Sequence, residues 1–309
     1  AEGFDPVKLD RVYQSIYNET LYPTIRSLTV VRNGKLVSEA YFKDPDDIGR
    51  LHDVMSVTKS ITSLAAGIAL GQGLIESIDA PVYQHLAPYF DEDPVKRTIT
   101  LRQVLTMENG LEFLNDEHTG EMFYCEGSSL EYVLGKPLVY APGTEWYSGD
   151  GNPQLVSGII QQVTGKSMEE FVRNNLFQPI GIDDFYWEKH GDGLTFGAFG
   201  LWLIPREMAR IGQVMLDKGR WNGQQVVPQE WVAESVIIQA NSRDYGFYWY
   251  PLDDEESIKA AGQRGQLILV HPSKQLVVVM TSDSFARSWI LTKGSYVRKF
   301  QGIYDALDS

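Results

Sequence analysis

Val54-Met55-Ser56-Val57-Thr58-Lys59-Ser60, continued by Ile61-Thr62-Ser63-Leu64-Ala65-Ala66-Gly67-Ile68-Ala69-Leu70, is the stretch that decides how the rest of the chain is read. It reads as a buried helix of small residues that opens on a serine, with a lysine three positions later. Residues i and i+3 share a helical face, so the Ser56 hydroxyl and the Lys59 amine are placed to meet. The first turn of a helix also offers unpaired N–H groups and the positive end of the macrodipole, both suited to a developing oxyanion. A serine hydroxyl is a weak nucleophile until a base stands beside it. S-x-x-K recurs by chance on solvated helices, but here no charged residue follows before Glu76. A lysine at the head of so apolar a helix needs a function or a partner. Ala65, Ala66 and Gly67 leave room for another element to come close.

Working outward, 309 residues make one large domain or two moderate ones. With 43% hydrophobic and 22% charged residues the composition is that of a globular protein, and no run approaches the length of a membrane span. A formal charge of −14 argues against nucleic acid and anionic membrane surfaces as partners. Cys125 is the single cysteine, so no internal disulfide forms. His52, His85, His118, His190 and His271 are scattered without metal-ligand spacing, and neither a metal nor another cofactor is expected. The chain begins at Ala1 without a methionine, consistent with a removed tag or with a removed signal peptide and hence a periplasmic or secreted protein. Oligomeric state is left open.

Periodicity predicts a helix over Val7 to Tyr17, then a β-hairpin from Ser27–Arg32 and Leu36–Phe42 around Asn33-Gly34. From about Glu76 to Glu188 the texture is helical and broken by prolines, with helices expected over Thr100–Met107, Gln154–Thr164 and Ser167–Leu176. Helices over Pro205–Asp217 and around Gln229–Ser235 follow. Strands are expected over Gly246–Tyr250, Gln266–Val270 and Leu276–Thr281, and a last helix over Ser295–Leu307. The pattern is α+β: an antiparallel sheet built from both ends of the chain and flanked by helices, with a helical region inserted between. The expected units are 1–75 with 190–309, and 76–189.

Two further segments carry candidate residues. Tyr147 lies in Pro142-Gly143-Thr144-Glu145-Trp146-Tyr147-Ser148-Gly149-Asp150-Gly151, a glycine-dense loop running into a helix. Its residues alone do not separate a proton relay from a packed ring. Gly262-Gln263-Arg264-Gly265-Gln266 leads into an apolar strand, and glycines at a strand edge let a ligand approach the backbone. A plain turn into the strand would read the same.

Taken together, these segments resemble the serine β-lactamase and penicillin-binding-protein superfamily, in its class C-like esterase and amide-hydrolase branch, akin to 6-aminohexanoate-dimer hydrolases. Ser56-Val57-Thr58-Lys59 matches the S-x-x-K motif, and Trp146-Tyr147-Ser148-Gly149-Asp150 falls where the family has Tyr-x-Asn. Leu105-Thr106-Met107-Glu108-Asn109-Gly110-Leu111 is similar to its Leu-Thr-x-x-Ser-Gly-Leu segment. The resemblance implies that Ser56 is acylated and that Lys59 and Tyr147 share the proton work. It also implies that backbone N–H groups of Ser56 and Gln266 hold the oxyanion, at the junction of a sheet part and a helical part.

The departures bear on substrate choice. Gly149 stands where the motif has asparagine, and Gln263, Arg264 and Gly265 stand in for the Lys-Thr-Gly box, so these four residues are the expected substrate-binding positions. Arg264 either restores the lost cation and grips a carboxylate or pairs with a neighbouring acid. The expected activity is hydrolysis of small esters or amides through an acyl-enzyme. The rivals are a β-lactamase or D-amino-acid peptidase, and a binding scaffold of the same fold that has lost turnover.

Overall fold

Asp5 starts the first helix by accepting from the N–H groups of Val7 at 2.8 Å and Lys8 at 3.2 Å, and α1 runs over Pro6–Tyr17. The computed structural model describes residues 2–18, 24–239, 241, 244–252, 254, 256–284 and 301–307. Asn33 and Gly34 take left-handed φ angles of 52° and 72°, the hand a two-residue hairpin requires. They join β1 (Ile25–Arg32) to β2 (Lys35–Tyr41). A two-residue strand, β3 (His52–Asp53), leads into α2 (Val57–Gly71), whose residues Val57 to Ala69 are all buried.

A helical stretch follows: α3 (Tyr83–Leu86), α4 (Leu101–Leu105), α5 (Asn115–Tyr124), α6 (Ser129–Leu134), α7 (Gly151–Thr164) and α8 (Met168–Val172). Thr100 and Gln103 cap α4 reciprocally. That helix stops earlier than its sequence pattern predicts because Met107 turns to a φ of 62°. Conversely α7 starts three residues before Gln154. Pro153 is accommodated because the first N–H groups of a helix need no partner within it. The helix expected over Ser167–Leu176 is split, with α8 giving way to a wider π turn at Arg173–Phe177.

The chain then forms β4 (Tyr186–Trp187), β5 (Leu201–Leu203), α9 (Pro205–Leu216), the small hairpin β6 (Arg220–Trp221) with β7 (Gln224–Gln225), and α10 (Gln229–Ser235). Three strands close the described fold after β8 (Tyr250–Pro251): β9 (Ile258–Gly262), β10 (Gln266–His271) and β11 (Leu276–Ser282). The strand expected over Gly246–Tyr250 does not form. Tyr245, Phe247, Tyr248 and Trp249 are all buried, with no in-out alternation, and Tyr248 sits at φ 61°. Of the last predicted helix, residues 301–305 are helical, and 295–300 lie outside the described residues.

Among the described residues six strands pair antiparallel in the order β2-β1-β11-β10-β9-β8, so the first and last described strands are neighbours inside the sheet. Alternation along β10 splits the core. Leu267 and Leu269 pack with Leu9, Val12 and Ile16 of α1 and with Ile303, whereas Ile268 and Val270 join the larger core that includes α2 and α9. Gly67 allows the close approach its neighbourhood suggested: a Cβ there would fall 2.2 Å from the Trp231 ring of α10. That contact, with Ser60 Oγ donating to Tyr248 O at 2.6 Å and Thr62 Oγ1 to Gly197 O at 2.7 Å, fixes α2 between the sheet and the helices.

Candidate active site

Ser56 is the residue before α2, and its N–H makes no hydrogen bond among the described residues. It is reached through Met55, which holds a left-handed φ of 51° without being glycine, a conformation that costs energy unless its surroundings impose it. Asp53 imposes it in part, its Oδ1 accepting from the Met55 N–H at 2.8 Å. Lys59, one turn further on, donates from Nζ to Ser56 Oγ at 2.6 Å. The spacing read in the sequence therefore brings nucleophile and amine together, nine-tenths buried on the lysine side.

The partner that a buried ammonium demands is Asp150, whose Oδ1 lies 2.8 Å from Lys59 Nζ with only 13% of the aspartate side chain exposed. Two residues of α5 orient it. Thr119 Oγ1 donates to Asp150 Oδ2 at 2.8 Å, and Asn115 Oδ1 accepts from the Asp150 N–H at 2.8 Å. Neither Asp150 nor its α5 supports were among the residues expected at the site. The signal available was the unpaired lysine itself, together with the only acid in the glycine-rich segment after Tyr147.

Tyr147 is held by its backbone, its N–H donating to Met107 O at 2.8 Å, and its ring lies 6.2 Å from that of Tyr140. No hydrogen bond among the described residues joins its hydroxyl to Ser56 or Lys59. Gly149 is buried with its carbonyl accepting from Asn152 Nδ2 at 3.3 Å, and Asp150, one residue later, supplies the polar group beside the lysine. In a Tyr-x-Asn pattern the tyrosine precedes the polar residue by two. Counting back two from Asp150 gives Ser148, an exposed residue.

The 263–265 turn abuts the approach to Ser56. A Cβ on Gly262 would lie 2.5 Å from Val54 O and 3.0 Å from Met55 Cβ. Arg264 and Gly265 both take positive φ, 60° and 103°, and Gln266 then enters β10. The Gln266 side chain is turned onto β11, donating from Nε2 to Ser282 O at 2.8 Å and accepting from Ser282 N–H at 3.1 Å, so only its backbone is left for the site. Gln263 is exposed and Arg264 half-buried. Burial pushes the Asp53 carboxyl up, while the Met55 N–H and the Arg264 charge pull it back. Glu188 is raised by burial and by Asp53. The charge of Arg264 reaches Asp53 without a hydrogen bond or ion-pair contact between them among the described residues.

Among the described residues no group of three or more His, Cys, Asp or Glu side chains is arranged to hold a metal ion, and no helix is long and apolar enough to cross a membrane.

Comparison with known proteins gives this arrangement a context. The chain is 26% identical over 298 residues to the 6-aminohexanoate-dimer hydrolase of Paenarthrobacter ureafaciens, covering 84% of this chain and 74% of that one. Its fold is similar to that of a family VIII carboxylesterase, with a TM-score of 0.78 at 14% identity over 98% of both chains. It is also similar to a class C beta lactamase from Rhodobacter sphaeroides, with a TM-score of 0.71 at 16% identity over 96% of this chain and 98% of that one. The beta-lactamase family model matches residues 26–293, a span that takes in Ser56, Lys59, Asp150 and the 263–265 turn, and the chain belongs to that family.

Proposed function

We propose that the protein is a serine hydrolase that cleaves small esters or amides through an acyl-enzyme on Ser56. The observation that carries this reading is the 2.6 Å contact of Lys59 Nζ with Ser56 Oγ at the opening of a buried helix. Ser56 Oγ attacks the acyl carbon as its proton leaves toward Lys59, and the carbonyl oxygen takes up the electron pair. The oxyanion is received by the N–H of Ser56, at the positive end of α2, and by the N–H of Gln266 at the start of β10. Collapse expels the alcohol or amine, and water then releases the acid by the same route in reverse. Gln263, Gly265 and Gly149 border the acyl group; Gln263 stands where a carboxylate-binding lysine would be, and the charge of its neighbour Arg264 acts on Asp53. That replacement favours esters and amides over β-lactams and peptides ending in a carboxylate.

The test is hydrolysis of a short-chain nitrophenyl ester by the wild type and by Ser56→Ala. Activity in the wild type with loss of at least about 10³-fold in the variant, at unchanged thermal stability, is the expected result. Hydrolysis that survives the substitution removes Ser56 from the chemistry.

A further inference from the structure

We propose that Asp150 is the terminal proton acceptor of the site, so that the relay runs Ser56–Lys59–Asp150 and does not pass through Tyr147. This rests on Ser56 being the nucleophile. The geometry that points to it is a continuous chain of contacts: Ser56 Oγ to Lys59 Nζ at 2.6 Å, and Lys59 Nζ to Asp150 Oδ1 at 2.8 Å. An ammonium has no lone pair and cannot simply take the serine proton. It can receive one only while giving one up, and the Asp150 carboxylate is the acceptor within reach.

The step balances as follows. As the bond from Ser56 Oγ to the acyl carbon forms, the serine proton moves to Lys59, and one lysine proton moves to Asp150. Lys59 remains an ammonium, Asp150 becomes a neutral carboxylic acid, and the carbonyl pair resides on the oxyanion. When the carbonyl re-forms and the leaving oxygen or nitrogen departs, the proton returns from Asp150 through Lys59 to that atom.

Asp150 is built for a fixed geometry. Its second oxygen is held by Thr119, its N–H by Asn115, and it precedes the first turn of α7. An asparagine here could brace Lys59 but could not hold the proton. Tyr147 has its ring 6.2 Å from that of Tyr140, and no hydrogen bond among the described residues joins its hydroxyl to Ser56 or Lys59. The titratable groups facing Asp150 are Lys59 from α2 and the phenols of Tyr245 and Tyr250. Burial, and then neighbours that include Asp150, hold both phenols up, Tyr250 at about 12.

The experiment compares the full chain with Asp150→Asn, Asp150→Glu and Tyr147→Phe in ester hydrolysis between pH 6 and 10, with thermal melts as the folding control. Asp150→Asn is expected to lose about 10²–10⁴-fold in kcat at every pH, the usual size of an acid–base contribution, with KM within about threefold. Asp150→Glu, which keeps a proton acceptor, should recover at least about tenfold of that loss, and Tyr147→Phe should stay within about fivefold of the wild type. The proposal is overturned if Asp150→Asn regains wild-type kcat as the pH rises, since Lys59 then suffices alone. It is equally overturned if Tyr147→Phe costs as much as Asp150→Asn, or if Asp150→Glu folds and is no better than Asp150→Asn. Retained activity in Ser56→Ala would instead strike at the nucleophile, which separates failure of the function from failure of the relay.

Discussion

Gly262 lies against the carbonyl of Val54, so close that a methyl group in place of its hydrogen would come within 2.5 Å of that oxygen. Gly262 itself has a φ of −114°, which any residue can adopt, so the demand is for space alone. The contact sets the distance between the end of β9 and the segment delivering Ser56. Gly262→Ala should therefore destabilise the fold by about 1–3 kcal/mol, as overpacking does. Because a displacement of about 1 Å at the reacting atoms can cost on the order of 10²-fold, it should also lower kcat by at least about tenfold. Melts and ester kinetics on the variant check both, and an unchanged kcat would show that the turn does not govern the position of Ser56.

Lys59 is asked to receive and return a proton, not only to be positive. Lys59→Met should abolish ester hydrolysis, and Lys59→Arg should not restore it, because a guanidinium holds its protons too tightly to pass one on to Asp150. Steady-state kinetics of the two variants decide the matter. Substantial turnover in the arginine variant would mean that a fixed charge is all the site requires.

Stability should carry a pH signature from Glu207, which caps α9 by accepting from the Ile204 N–H at 3.1 Å. Burial pushes this carboxyl up to about 7, against the opposing pull of that N–H and of Arg210. A raised acid costs nothing below its unfolded value near 4.5; the penalty builds up between there and about 7 and is complete above it. Glu207→Gln keeps the capping oxygen without the charge. It should match the wild type at pH 4 and exceed it at pH 8 by roughly 3 kcal/mol, at about 1.4 kcal/mol per unit. Chemical denaturation at the two pH values measures this. A stability difference that does not change with pH would contradict it.

The Arg264 charge pulls Asp53 down and the Asp53 charge pushes Glu188 up, so two acids share the neighbourhood of one cation. An ester ending in a carboxylate should then gain little over its methyl-ester isostere, with kcat/KM within about threefold. An Arg–carboxylate contact free of competitors would give roughly 10–150-fold, the equivalent of 1.5–3 kcal/mol. A preference of that size in the wild type, lost in Arg264→Ala, would assign Arg264 to substrate.

Much of this site was legible because helical geometry links residues by spacing. Ser56 and Lys59 meet through i,i+3 periodicity, and the glycine at 67 announces the close approach of Trp231. The hairpin at Asn33-Gly34 and the strands β10 and β11 follow from turn chemistry and apolar runs. The 246–250 segment misled because a run of aromatics suits a strand by propensity while tertiary packing buries nearly every ring and bends the backbone at Tyr248. Asp150 was hidden by a one-residue offset. A Tyr-x-Asn spacing counted from Tyr147 ends at Gly149, whereas the start of α7 at Gly151 places the next residue, Asp150, on the lysine. Spacing in a loop is not periodic, so only the fold could say which residue turns inward.

Acylation of Ser56 is the claim on which the account stands, and intact mass measures it directly. The protein is incubated with a fluorophosphonate, the mass gain is recorded, and the adduct is mapped by peptide. One adduct per chain on Ser56, absent in Ser56→Ala and much slowed in Lys59→Met, is the predicted result. An adduct on another residue, or labelling of Ser56→Ala at the wild-type rate, would contradict it.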